Sequence, residues 1–344
     1  MTNVISLSVP QRRQPFIQNA KALVSVFADH RRHHEDVFWL KENAELLNIL
    51  ECTGTPIPED ALATHQSFYQ QLPAKMAFFA QDYRFYLSIF LVLEDLGLKG
   101  DVGGQVCDCV AAQGLAEAEL SDLQRRAVSR LLARRGTKVS IDHGLDDRLR
   151  QFINRSATFA LPNKKVAYEL THIVFYLSEY GRRDPKLDCG AVQSLNFVGI
   201  IAYLDQNADL LAEICIALRF AGQTPSPIWE DWIVKTLSDF QVIEQPASNT
   251  SDGYHEYLVS AWMALTAKRD GMGQALLGER LVFMRGEVAA GPLRNISNLL
   301  LDMDAERSPD WEVMHPIVEQ AIDEEGYEIL LQAQNSTDDF AALF

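Results

Sequence analysis

Residues 167–181, AYELTHIVFYLSEYG, read as a helix that stops at a glycine. An apolar body of Ile173, Val174, Phe175 and Tyr176 is preceded by Glu169 and His172, and Gly181 offers the left-handed residue that commonly follows a helix C-terminus. The same ending recurs outward along the chain. VFWLKENAELLNILECTG (37–54) stops at Gly54, ADLLAEICIALRFAG (208–222) stops at Gly222, and further helices stop at Gly97, Gly136 and Gly271. In the first of these segments Val37, Leu40, Ala44, Leu47 and Leu50 keep to steps of three and four, one face of a helix. Prolines follow three of the glycines (Pro56 and Pro58, Pro185, Pro225 and Pro227), where a helix cannot continue. Partner helices fit between the stops, at 58–71, 102–113, 146–157, 189–206 and 227–240. A spacing of about 43 residues holds two helices and two loops, so about six helical hairpins are expected. Strand signals are nearly missing; RLVFMR (280–285) is the exception, a short strand or helix. The expected fold class is all-α.

Six hairpins have two architectures open to them: an α/α toroid closed on itself, or an open solenoid of the HEAT or TPR kind. The repeat count favours closure. The three segments quoted above resemble the α/α toroid superfamily, which includes terpene cyclases, protein prenyltransferases and six-hairpin glycosidases. The second and third of them in chain order, 167–181 and 208–222, are also similar to an uncharacterised bacterial family of toroid-like proteins. The resemblance is one of pattern and brings no catalytic signature. Neither Asp-x-Asp-Asp nor Asp-Asp-x-x-Asp occurs, Asp302-Met303-Asp304 is too partial, and no Asp/Cys/His zinc pattern can be placed.

The capping glycines serve as a ruler for polar groups inside these helices. Glu45 and Glu42 precede Gly54, His172 and Glu169 precede Gly181, and each pair lies nine and twelve residues back. Glu213 and Asp209 precede Gly222, while Trp262 and His255 precede Gly271. Carboxylates and imidazoles are costly in an apolar helix unless paired or hydrated. In a closed ring they converge on a central cavity. Glu169 and His172 are then the candidate acid–base pair, with Glu42, Glu45, Glu213, His255, Trp262 and Tyr176 as candidate substrate contacts. The expected function is an enzyme acting on a small molecule or modified peptide. The alternative is a non-catalytic helical-repeat scaffold for a peptide or protein partner. A structural role stays open for each residue: a lone Glu also sits on solvated faces or caps a neighbouring helix, and His255 starts its own helix. Glu169-x-x-His172 is one half of the di-iron carboxylate pattern, whose second half is missing. No cofactor is expected; a metal, if any, would use Glu169, His172, Glu213 and His255. Trp39, Tyr176, Trp229, Trp232 and Trp262 are candidate sugar-stacking faces, as a glycosidase cavity would need.

Composition frames these expectations. The 344 residues are 47% apolar and 23% charged, an ordinary globular balance, and Lys+Arg 31 against Asp+Glu 47 gives a net charge of -16. That excess argues against a protein that coats nucleic acid or anionic membrane. It is uneven: 121–155 carries nine basic and four acidic residues, whereas 300–344 carries twelve acidic residues and Arg307. The basic run reads as a solvated helix face, or as a surface that meets the acidic region within one chain or, in a homodimer, between two. Five cysteines without framework spacing, no secretory leader and no membrane-length apolar run suggest the cytoplasm. His30 and His34 form a further candidate metal pair at the end of a helix from Phe16 to about His33. The expected organisation is an arm at 1–15, one helical-repeat domain at 16–335 and a flexible acidic–apolar tail at 336–344.

Overall fold

The computed structural model describes residues 13–137, 142–245, 252–269 and 276–343. Among them sixteen α-helices occur. The first six are α1 (Arg13–Ser25), α2 (Val37–Cys52), α3 (Gln66–Phe78), α4 (Tyr83–Asp95), α5 (Gly103–Ala112) and α6 (Asp122–Ala133). Next come α7 (Leu145–Ile153), α8 (Ser156–Phe159), α9 (Lys164–Leu177), α10 (Cys189–Leu204), α11 (Ala208–Phe220) and α12 (Pro227–Ser238). The last four are α13 (Tyr254–Thr266), α14 (Leu293–Met303), α15 (Trp311–Ala321) and α16 (Glu324–Gln334). The chain is mostly helical, as expected. The 280–285 segment supplies β2 (Leu281–Met284), paired antiparallel with β1 (Gln241–Glu244), a strand too short to show a period in sequence.

Two alternating sets of helices organise the packing. In the first set α2 lies against α4, α4 against α6, α6 against α9, α9 against α11, α11 against α13, and α13 against α2. The second set covers these: α3 on α4, α5 on α4 and α6, α7 on α6 and α9, α10 on α9 and α11, α12 on α11 and α13. The glycines explain this alternation. Gly54, Gly97, Gly136, Gly181 and Gly222 all have positive φ, and each follows a helix of the first set. After α2 the Gly54 N–H bonds the Glu51 carbonyl at 3.1 Å and Thr55 N–H bonds Leu50 at 2.9 Å, which satisfies carbonyls the helix leaves open. After α9, Glu179 and Tyr180 also take positive φ, 50° and 55°, so that turn starts ahead of Gly181. Gly271 lies outside the described residues. Four helices of this set also start on a side-chain cap: Asp36, Ser121, Asn163 and Asn207 accept backbone N–H groups of α2, α6, α9 and α11.

Helix α11 shows how the packing sorts polar groups. It touches α9, α10, α12 and α13, so Leu210 through Leu218 are all buried. Burying Leu210, Leu211, Ile214, Ile216 and Leu218 contributes at most about 8–15 kcal/mol at ~1.5–3 kcal/mol each. Glu213 is carried into that interior by its neighbours.

Several expectations change at the edges. The first helix begins at Arg13, and its regular part ends at Ser25, followed by a single π-helical turn, Val26–His30. His34 lies beyond it, so His30 and His34 do not share a helical turn. Residues 336–343 do not form a free tail: Phe340 is 1% exposed and packs on Trp311 with ring centroids 5.1 Å apart. Several arginines of the basic 121–155 region pair with nearby acids. Arg126 pairs with Asp146 and Glu179, Arg134 with Glu51 and Asp95, Arg135 with Glu94 and Asp95, and Arg148 with Asp122 and Asp142. Among the described residues no single helix is long and apolar enough to cross a membrane, and the one apolar pair of such length, Glu59–Phe78 with Ala80–Asp95, is bent by 115° at its junction.

Candidate active site

Side chains from α2, α4, α6, α9, α11 and α13 line one cavity of about 520 Å³. They arrive in steps of four: Lys41 and Glu45 on α2, Arg84 and Ser88 on α4, Tyr168 and His172 on α9, His255 and Val259 on α13. Asp209 and Glu213 keep the same step on α11.

His255 is the hinge of the polar cluster. Its Nδ1 meets Glu45 Oε1 at 2.5 Å, and its Nε2 meets Asp209 Oδ1 at 3.2 Å. Tyr168 donates its hydroxyl to the other Asp209 oxygen at 2.6 Å. Burial opposes a charge on His255, but the Asp209 and Glu45 contacts outweigh it and raise the imidazole to about 11. His255 is therefore an imidazolium at neutral pH. Burial likewise works against an ionised Asp209, and His255 and Tyr168 reverse the balance and hold that carboxyl below its usual range. Glu213 goes the other way. Burial, then the neighbouring Asp209 charge, push it up to about 8. Thr171 donates to Glu213 Oε2 at 2.5 Å, which leaves the other oxygen to carry the acid proton.

His172 lines the same cavity, with its ring stacked on Tyr176 at 6.0 Å. Burial, then the positive charge of His255, push it down to about 4, so it is a neutral imidazole. The Asp209 charge, which works to raise it, is outweighed.

Of the residues expected in the site, Glu45, His172, Glu213, His255, Trp262 and Tyr176 do line the cavity. Glu169 and Glu42 do not. Tyr168, His172, Phe175 and Tyr176 form the cavity face of α9, and Glu169 sits one residue, about 100°, away from Tyr168 around that helix. An i,i+3 relation to His172 is therefore not enough to share its face. Glu42 is 1% exposed and serves as a structural anion. Its two oxygens accept from Arg31 Nε at 3.0 Å and Arg32 Nε at 2.5 Å. Arg31 also grips Asp252 through two nitrogens, at 3.0 and 2.9 Å, and stacks on Phe27, Tyr254 and Phe283. The aromatic expectations divide too. Trp39 and Trp229 are core residues, 2% and 1% exposed, and do not face the cavity.

Tyr168, Asp209, Arg130 and Tyr180 carry the site without having been named from sequence as catalytic or substrate-contact residues, although Asp209 was read at the same level as Glu213. The signal for the first two was the i,i+4 step to His172 and Glu213. Arg130 was hidden among eight other basic residues of 121–155.

The described titratable residues include one cluster with metal-like geometry. One ligand atom each of Asp209, Glu213 and His255 lies within 4.8 Å of the others. The donor chemistry fits poorly, because an imidazolium held by Glu45 and Asp209 has no free lone pair. Glu169, the fourth expected ligand, is not among them.

No curated protein and no solved structure matches the chain. A family model covers it from end to end, residues 1–344, described as a domain of unknown function, DUF6902. The protein belongs to the DUF6902 family.

Proposed function

We propose that the six cavity helices close into an α/α toroid and that their shared cavity is the active site of a cytoplasmic enzyme performing proton transfer on a small molecule or modified peptide. The closure reading is supported by the order of neighbours, which runs from α2 through α4, α6, α9 and α11 to α13 and returns to α2. The observation that carries the functional reading is the convergence of Glu45, Glu213, His172 and His255, from four helices, on one cavity.

The roles follow from the environments. Glu213 is the proton carrier: a carboxyl whose affinity for a proton lies near neutrality can both give and take one in a turnover. His172 is a neutral imidazole in the same cavity, able to accept a hydrogen bond at one nitrogen and donate at the other. His255 holds its proton too tightly to exchange it at neutral pH. It acts as a fixed positive charge, oriented by Glu45 and Asp209, beside any negative charge that develops near Glu213. The catalytic pair is thus Glu213 with His172, in place of Glu169 with His172.

A metal-bound form is the second reading, supported by the compactness of Asp209, Glu213 and His255. Elemental analysis of the purified protein separates the two. The enzyme reading is tested by incubating the protein with small-molecule extracts and following consumed and formed compounds by mass spectrometry. Turnover that is lost in Glu213→Gln and His172→Ala, but kept in Glu169→Gln, is the expected result. If no compound is retained or converted by the unaltered protein, the scaffold alternative replaces this reading.

A further inference from the structure

Arg130 enters the cavity from α6 and is 4% exposed. Its guanidinium carbon lies 4.6 Å from the Tyr180 ring centre and 5.2 Å from that of Tyr176. The nearby arginines of this region are neutralised: Arg126 by Asp146 and Glu179, Arg134 by Glu51 and Asp95, Arg135 by Glu94 and Asp95. Arg130 differs from them. Its Nε and Nη1 have no hydrogen-bond partner, and no carboxylate pairs with it among the described residues. Trp262, whose ring is 5.9 Å from Tyr180, lines the same cavity with its Nε1–H also lacking an acceptor. Ring stacking offsets only part of the cost of an uncompensated buried charge. Two donors without acceptors, both beside Tyr180 in a cavity that also holds Lys41 and Arg84, mark a place for an acceptor-rich group. Tyr180, at φ 55°, holds its backbone in a conformation unusual for a tyrosine to place its ring there.

We propose that Arg130 anchors an oxyanion of the cavity's ligand, a carboxylate or a phosphate, with Tyr176, Tyr180 and Trp262 packing around the attached group. The ligand's reacting end then lies toward Glu213 and His172. This rests on reading the cavity as a ligand site and needs no turnover to be examined. A neutral or cationic ligand would leave Arg130 uncompensated.

The test uses the full chain and five probes: acetate, benzoate, inorganic phosphate, phenyl phosphate and benzylamine, each followed by calorimetry and by thermal shift. Saturable binding of benzoate or phenyl phosphate is expected, and the arm that binds tighter names the oxyanion. Affinity should fall at least about 30-fold in Arg130→Gln, recover in part in Arg130→Lys, and persist in Glu213→Gln. Without any probe, Arg130→Met should melt no lower than the unaltered protein, because it removes an unpaired buried charge. The proposal is overturned if no anion binds saturably to the unaltered protein, if Arg130→Gln binds equally well, or if benzylamine binds tightest. Anion binding in a protein that converts no compound supports this anchor while removing the proton-transfer reading. Turnover without Arg130-dependent anion binding does the reverse.

Discussion

Replacing Arg31 with methionine separates the structural role of Glu42 from the binding role its sequence position suggested. Arg31 is 3% exposed and joins four parts of the chain. It follows α1, donates to Glu42 on α2, grips Asp252 ahead of α13, and donates to the Leu281 carbonyl of β2 at 3.2 Å. Its side chain and those of Glu42 and Asp252 are each 1–2% exposed, so solvent screens little of this charge. Methionine keeps the contacts with Phe27, Tyr254 and Phe283 but leaves Glu42 to Arg32, and Asp252 to the Phe283 N–H at 2.8 Å. Breaking a buried pair from one side costs about 3–5 kcal/mol. Glu42→Gln is milder, because Arg31 keeps Asp252 and Arg32 reaches solvent; two charge-assisted bonds weaken for a cost of about 2–3 kcal/mol. The double variant should cost less than the two single variants added together, since the partners share one network. Urea unfolding gives all three values. A loss below about 1 kcal/mol for Arg31→Met, or a Glu42→Gln protein of full stability with altered ligand binding, refutes the reasoning and returns Glu42 to the site.

Further outcomes follow from the same structure. Gly199→Ala drives a Cβ into the ring of fully buried Trp229, and that overpacking should cost about 1–3 kcal/mol in the same unfolding assay. Phe340→Ala removes a ring buried against Trp311 and should cost about 3–5 kcal/mol if the C-terminal segment folds with the body; a variant of unchanged stability would show that it does not. The pH profile has two signs. Glu213 and His255 bind their protons more tightly folded than unfolded, so their contribution is greatest below about 4.5 and 6.5 and falls as pH rises through about 8 and 11. His172 is depressed, so its contribution is complete above about 6.5 and falls as pH drops through about 4. Melting temperatures in Glu213→Gln should therefore decline less between about pH 6 and pH 9 than in the unaltered protein.

The helical framework was legible because its signals are local. Positive φ is costly for a residue with a Cβ, so the glycines after α2, α4, α6 and α11 stood out, and Asn163 and Asn207 mark helix starts by the same local logic. The site was legible only in part. Glu42 and Glu45 differ by three positions on one helix, and nothing local says which one meets Arg31 and Arg32 and which one meets His255. The same rotation misled the pairing of Glu169 with His172, where the cavity face in fact steps by four from Tyr168. Arg130 looked like one member of a solvated basic run; its lack of a carboxylate partner depends on where α6 packs. Phe340 was read as part of a tail because a terminus gives no periodicity, while its burial depends on a helix 29 residues upstream, at Trp311.

The account turns on Glu213 being a neutral acid, buried in the cavity and ready to transfer its proton. Difference infrared spectroscopy between the unaltered protein and Glu213→Gln reads that state directly. A carboxylic-acid carbonyl band should be present at about pH 6.5, vanish as pH is raised past about 8, and be missing from the variant. A spectrum that shows only carboxylate at about pH 6.5 would contradict the assignment of Glu213 as the proton carrier.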